Sequence, residues 1–66
     1  KKRTKIADII KRESGVDVPM ENISFVANGI KLKINSIEKN QVFIKKERII
    51  KQILESIPNL NIKDIS

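Results

Sequence analysis

Three cations fall within four residues at Lys45, Lys46 and Arg48, and two more, Lys31 and Lys33, stand two positions apart in an otherwise apolar run. Ammonium and guanidinium groups hold phosphate and carboxylate oxygens, lysine as a point charge and arginine through a planar fork of donors. They bind without making or breaking bonds. The rest of the side-chain inventory agrees, because the 66-residue chain has no His, Cys, Tyr or Trp. Thiolate nucleophiles, zinc-finger ligand sets and imidazole acid–base chemistry are therefore excluded, and no disulfide staples the fold. The acids Asp17, Glu21, Glu38, Glu47, Glu55 and Asp64 show no paired spacing for metal binding or carboxylate catalysis. Only Gly15 and Gly29 are present, so no glycine-rich loop cradles a phosphate. These residues suit anion binding. The expectation is a non-enzymatic binding module with no cofactor, no metal and no small-molecule substrate.

The formal net charge is +6, and its layout matters more than its size. Residues 1–12 carry +5, residues 13–30 carry −3, residues 31–52 carry +5 and residues 53–66 carry −1. Two basic segments around an acidic one can fold into a single cationic patch, the footprint expected for a phosphate backbone. A blander reading competes. Ile, Lys and Asn make up 31 of the 66 residues, as an AT-rich coding sequence would produce, so part of the lysine excess needs no ligand. No apolar run approaches the roughly 18–20 residues that span a bilayer, and no secretory leader is visible. A cytoplasmic domain without membrane contact is the expectation. The chain opens at Lys1 without Met, which fits the ordered part of a longer protein.

Local patterns place these cations on elements. Ile6, Ile9 and Ile10 sit at i, i+3, i+4, predicting a helix over residues 4–14 with Thr4 as N-cap and residues 1–3 as a frayed basic lead-in. Gly15 stands where a helix C-terminus favours left-handed backbone, and Lys11 and Arg12 complement the dipole of the last turn. A loop containing Pro19 follows, with Val16 and Val18 expected beneath a sheet. Strands are predicted at residues 23–26 and 30–34, joined by a tight type I′ turn at Asn28-Gly29. Ile30, Leu32 and Ile34 then face the core while Lys31 and Lys33 face out, although ordinary solvent-facing alternation would look the same. Asn35-Ser36 offers a helix N-cap.

Residues 37–57 admit two readings. Val42, Ile49, Ile50, Ile53, Leu54 and Ile57, joined by Phe43, share one side of a helical wheel, while Ile37 and Ile44 point to the other. A straight helix would expose those two, so a break near residues 44–46 is expected. The alternative, a third strand at residues 41–45, would leave only residues 37–41 as a connection, and the helix is preferred. Lys45, Arg48 and Gln52 then share a face, and Glu47 and Lys51 form an i, i+4 pair. Pro58 and Asn59 end the helix, and residues 61–65 form a last strand. The result is an α+β two-layer domain spanning residues 1–66, in the order α-β-β-α-(α)-β, with helices on one side of a three-stranded sheet. Its expected core is Ile6, Ile9, Ile10, Ile30, Leu32, Ile34, Val42, Ile50, Ile53, Leu54, Ile57 and Ile62. Phe25 and Phe43, the only aromatics, are also expected inside, which argues against base stacking and sequence readout.

The element order is KH-like, but the GxxG clamp of KH domains is missing. The stretch from Asn28-Gly29 through Ile30-Lys31-Leu32-Lys33-Ile34, Ser36, Val42 to Lys46, Ile49-Ile50 and Ile53, with the closing Ile62-Lys63-Asp64-Ile65, resembles the DciA-type bacterial replicative-helicase operators. Many members carry a Trp near the start of this helix, where the present chain has Ile37-Glu38-Lys39. The resemblance implies a KH-like fold, nucleic-acid binding and association with the replicative helicase DnaB; single-stranded or junction DNA is the expected ligand. On that expectation Lys31, Lys33, Lys45, Lys46 and Arg48 are the nucleic-acid contacts. RNA is an equally permitted ligand on the residues alone. A protein-interaction or oligomerisation domain, with Ile37 and Ile44 as its apolar patch, is the alternative from another class.

Overall fold

Ile6, Ile9 and Ile10 lie buried along the first helix, in a core that is entirely aliphatic among the described residues. In the computed structural model, which describes residues 2–60 and 62–66, the elements are α1 (Lys2–Ser14), a single 3₁₀ turn (Met20–Asn22), β1 (Ile23–Val26), β2 (Gly29–Leu32), α2 (Ser36–Ile44), α3 (Lys46–Ser56) and β3 (Asp64–Ile65). The order is α-β-β-α-α-β, and the domain is a small two-layer α+β fold. The sheet is mixed, in the order β1-β2-β3: β1 and β2 pair antiparallel, while β3 joins the other edge of β2 in parallel. Ile23, Ile30, Leu32 and Ile65 turn toward the helices, while Ser24 and Lys31 stand exposed on the opposite face.

α1 starts earlier than the periodicity predicts. Lys2 and Arg3 are helical, so they are not a frayed lead-in, and Lys1 lies outside the described residues. Thr4 is inside the helix, and its hydroxyl donates to the Met20 sulfur at 3.0 Å instead of capping. The C-terminus matches expectation: Gly15 adopts φ +78 and its N–H donates to the Lys11 carbonyl at 2.8 Å.

The hairpin turn differs from the expected one. Val26 pairs with Gly29, so the loop is Ala27-Asn28, and Gly29 belongs to β2. Among the described residues only Gly15 has positive φ, which rules out a type I′ turn at this hairpin. Gly29 serves another purpose. A Cβ there would run into the Asp64 carbonyl of β3, so the missing side chain is what lets the two strands approach. The register carries a consequence: Lys31 faces Ser24 across the ladder, whereas a turn at Asn28-Gly29 would have set it opposite Val26. β2 also ends at Leu32, short of residue 34, although the Lys33 N–H still reaches the Asn22 carbonyl at 2.9 Å.

Residues 36–44 are helical, not a third strand. Asn35 caps them in a reciprocal box: the Glu38 N–H donates to Asn35 Oδ1 at 2.8 Å, and the Asn35 N–H donates to the Glu38 carboxylate at 3.4 Å. The expected break falls on Lys45, a single non-helical residue between α2 and α3. Val42 on α2 and Ile49 and Ile53 on α3, which share one side of the helical wheel, all reach the core across this break. The break does not bury Ile37 and Ile44, which stay 73% and 78% exposed. β3 comprises only Asp64–Ile65, and residue 61 of the longer expected strand lies outside the described residues.

The buried set overlaps the expected one but is not identical. Ile23, Ile49, Ile65, Val16 and Val18 are buried, Ile34, Ile50 and Ile57 are only partly so, and Leu54 is 37% exposed on the outer flank of α3. Both phenylalanines lie outside the core, Phe25 at 39% and Phe43 at 43% exposure. The reason is position. Phe25 projects from the edge strand β1, and Phe43 sits in the last turn of α2 just before the break. Each ring carries a cation instead, with the Arg3 guanidinium 5.5 Å from the centroid of Phe25 and the Lys46 ammonium 5.4 Å from that of Phe43.

Ile53 is fully buried at the centre of this packing. Truncating Ile53→Ala is expected to cost about 2–5 kcal/mol, against a total stability of roughly 3–10 kcal/mol for so short a chain. Thermal or urea denaturation should show a large loss, and an unchanged midpoint would remove Ile53 from the core.

Candidate nucleic-acid interface

β2 puts Lys31 on the exposed face of the sheet, and Lys33, just past the end of the strand, continues the same extended run through its backbone bond to Asn22. Two residues along a strand advance about 6.6–6.8 Å on one side, a spacing that lets two ammonium groups serve neighbouring anions. The β1–β2 register sets Ser24 directly across from Lys31, and the Lys33–Asn22 backbone bond draws Asn22 beside Lys33. Asn22, Ser24, Lys31 and Lys33 thus line one open groove of about 470 Å³, with Leu32 and Ile34 completing the lining. Two ammonium groups, a hydroxyl and a carboxamide together supply only hydrogen-bond donors or neutral dipoles to whatever sits there. No acid lines this groove.

The other three expected contacts lie on the helical side of the chain. Lys45 occupies the α2–α3 junction, exposed and without an acidic partner among the described residues. Lys46 opens α3, where a cation opposes the helix dipole, and there it meets the Asp64 carboxylate of β3 at 2.7 Å. That contact ties the start of α3 to the edge strand. Arg48 Nε lies 3.3 Å from the Glu13 carboxylate of α1. The expected Glu47–Lys51 pair does not form; these two pairs are the ion pairs among the described residues. Lys46 and Arg48 are therefore engaged in holding elements together, whereas Lys31, Lys33 and Lys45 are free of acids.

Sequence reasoning missed Asn22 and Ser24 because their place beside the lysines depends on the hairpin register. It also missed Arg3. Its Nε donates to the Ile23 carbonyl at 3.1 Å, so a residue assigned to a frayed lead-in is held against β1. The helical spacing of Arg3 ahead of Ile6 and Ile10 was the signal available. Among the described residues, no three acidic side chains gather as a metal ion would need, and no helix is long and apolar enough to cross a membrane.

No family model matches this chain, and no curated protein or solved structure does so either.

Among the described residues, the Asp64 carboxyl is clearly perturbed. The hydrogen bond from Lys46, followed by that from the Ile65 N–H, holds the Asp64 carboxyl below its ordinary value. Folding lowers this pKa, so the pair's contribution to stability is fully present above the unfolded aspartate value of about 3.9 and is lost as pH falls through the lower folded value. Lys46→Met should therefore raise the midpoint of the Asp64 carboxyl titration, followed by carbon NMR. The wild-type midpoint in that variant would mean that Lys46 does not hold the carboxylate.

Proposed function

We propose that this domain is a non-enzymatic nucleic-acid-binding module that grips the phosphate backbone through Lys31 and Lys33 at the exposed sheet face, supported by Lys45. The observation that carries the reading is the acid-free groove in which Asn22 and Ser24 join the two lysines. Lys46 and Arg48 contribute longer-range positive potential, since their nearest partners are Asp64 and Glu13. A backbone ligand suits the surface because its charge comes from two exposed ammonium groups, which meet phosphate oxygens as point charges whatever the base. By its resemblance to the DciA-type operators, the domain would work in the bacterial cytoplasm, holding single-stranded or junction DNA and assisting placement of the replicative helicase DnaB. An RNA- or ribosome-associated role needs the same cationic face and differs only in ligand.

Fluorescence anisotropy with labelled single-stranded DNA, duplex DNA and RNA of one length, each across a salt series, tests this directly. Binding should weaken linearly with log salt. Lys31→Glu with Lys33→Glu should reduce the slope by about 1.4 on single strands, at about 0.7 per phosphate contact. Both residues are exposed, so the melting temperature should hold. Unchanged affinity in the folded double variant would remove the sheet face from the interface.

A second reading rests on α2. Ile37 and Ile44 are seven residues apart, hence on one helical face, and both are largely exposed. That pair suits a protein contact or self-association, with the basic face serving solubility. On this reading sedimentation would show concentration-dependent association, abolished by Ile37→Lys with Ile44→Lys, and no nucleic acid would bind at low salt.

A further inference from the structure

Where β1 forms the edge of the sheet, a second groove of about 620 Å³ opens between that strand, the first turn of α1 and the 3₁₀ turn. Its walls include Arg3, Met20, Glu21, Ser24 and Phe25. Two large apolar side chains, Met20 and Phe25, remain exposed in it. Arg3 lies over the Phe25 ring, and its Nε is committed to the Ile23 carbonyl, which fixes the guanidinium while leaving its terminal NH₂ groups without a protein acceptor among the described residues. A held aromatic ring, a planar cation and a soft thioether make a platform for a flat, polarizable group. Glu21 adds a single acceptor at its margin.

Ser24 belongs to both grooves. Lys31 lies directly across the ladder from Ser24, one strand spacing of about 4.8 Å away, while Phe25, paired with Ile30, projects on the other face at the β1 edge. A chain whose phosphates rest on Lys31 and Lys33 and which passes over the β1 edge would bring a base to the Phe25 groove. We infer that the Arg3–Met20–Phe25 groove receives one unstacked nucleobase, making this domain selective for single strands over duplex. The inference rests on the phosphate reading of Lys31 and Lys33 and extends it from charge to the state of the ligand. A duplex keeps its bases stacked inside and offers the groove nothing, whereas a single strand presents a π-face without regard to sequence. Glu21 accepts a hydrogen bond from an exocyclic amino group of cytosine, giving a mild preference on top of stacking.

The test compares a short single-stranded DNA with a fully abasic backbone of the same length and charge. Wild-type protein should bind the abasic strand about 5- to 150-fold more weakly, the range of one base–aromatic stack, with the same salt slope. In Phe25→Ala, checked for an intact melting transition, the two strands should bind alike. If the wild type binds both strands equally, the base groove is overturned while the phosphate interface stands. If it binds neither at low salt, both fall. The abasic comparison uses unaltered protein, so it decides the matter even where Phe25→Ala fails to fold.

Discussion

One-sided burial governs this domain. With no cysteine and 66 residues, its stability has to come from packing branched aliphatic side chains, and fourteen isoleucines supply them. All the buried side chains fall on the helix-facing side of a three-stranded sheet. The central strand β2 is the hinge of that arrangement, since Ile30 and Leu32 enter the core and every other residue must then turn away from it. Lys31 is exposed for that reason, and Lys33, one residue past the strand end, is exposed as well. The cationic face follows from the way the core is built.

The close seat of β3 depends on the same strand. Gly29 admits the Asp64 backbone, Ile65 completes the core beside Ile30, and the Lys46–Asp64 contact fastens α3 to the edge. A lysine at the start of α3 would otherwise stand against the helix dipole. Here the opposing carboxylate compensates it, and Asp64 in turn is kept ionised to lower pH. Charge in this domain is thus of two kinds. Lys46 and Arg48 bridge secondary-structure elements, while Lys31, Lys33 and Lys45 have no acidic partner among the described residues.

Much of this was legible in the residues. The helical triplet of Ile6, Ile9 and Ile10, the capping signal at Asn35, the alternation through β2 and the need for a break near Lys45 all reflect local periodicity, which survives folding unchanged. Misreadings arose where a residue's role depends on something distant. Gly29 carries a strong turn signal after Asn28, yet the demand that placed a glycine there comes from β3, 35 residues later. Phe25 and Phe43 are hydrophobic enough for any core, but an edge strand and a helix end leave them half exposed beneath cations.

By itself, the sequence determined which side chains are on hand: no His, Cys, Tyr or Trp, and lysines and arginines clustered in two segments. It also determined the elements and which face of each is oily, since side-chain periods of two and 3.6 are properties of the backbone alone. The tertiary structure decided which cations are free and which are spoken for. It set Ser24 and Asn22 beside the lysines through the ladder register, and it brought Arg3 and Phe25 together at the β1 edge. These are pairings between residues about 7 to 20 positions apart or more. No local pattern encodes them, because they form only when the whole aliphatic core closes.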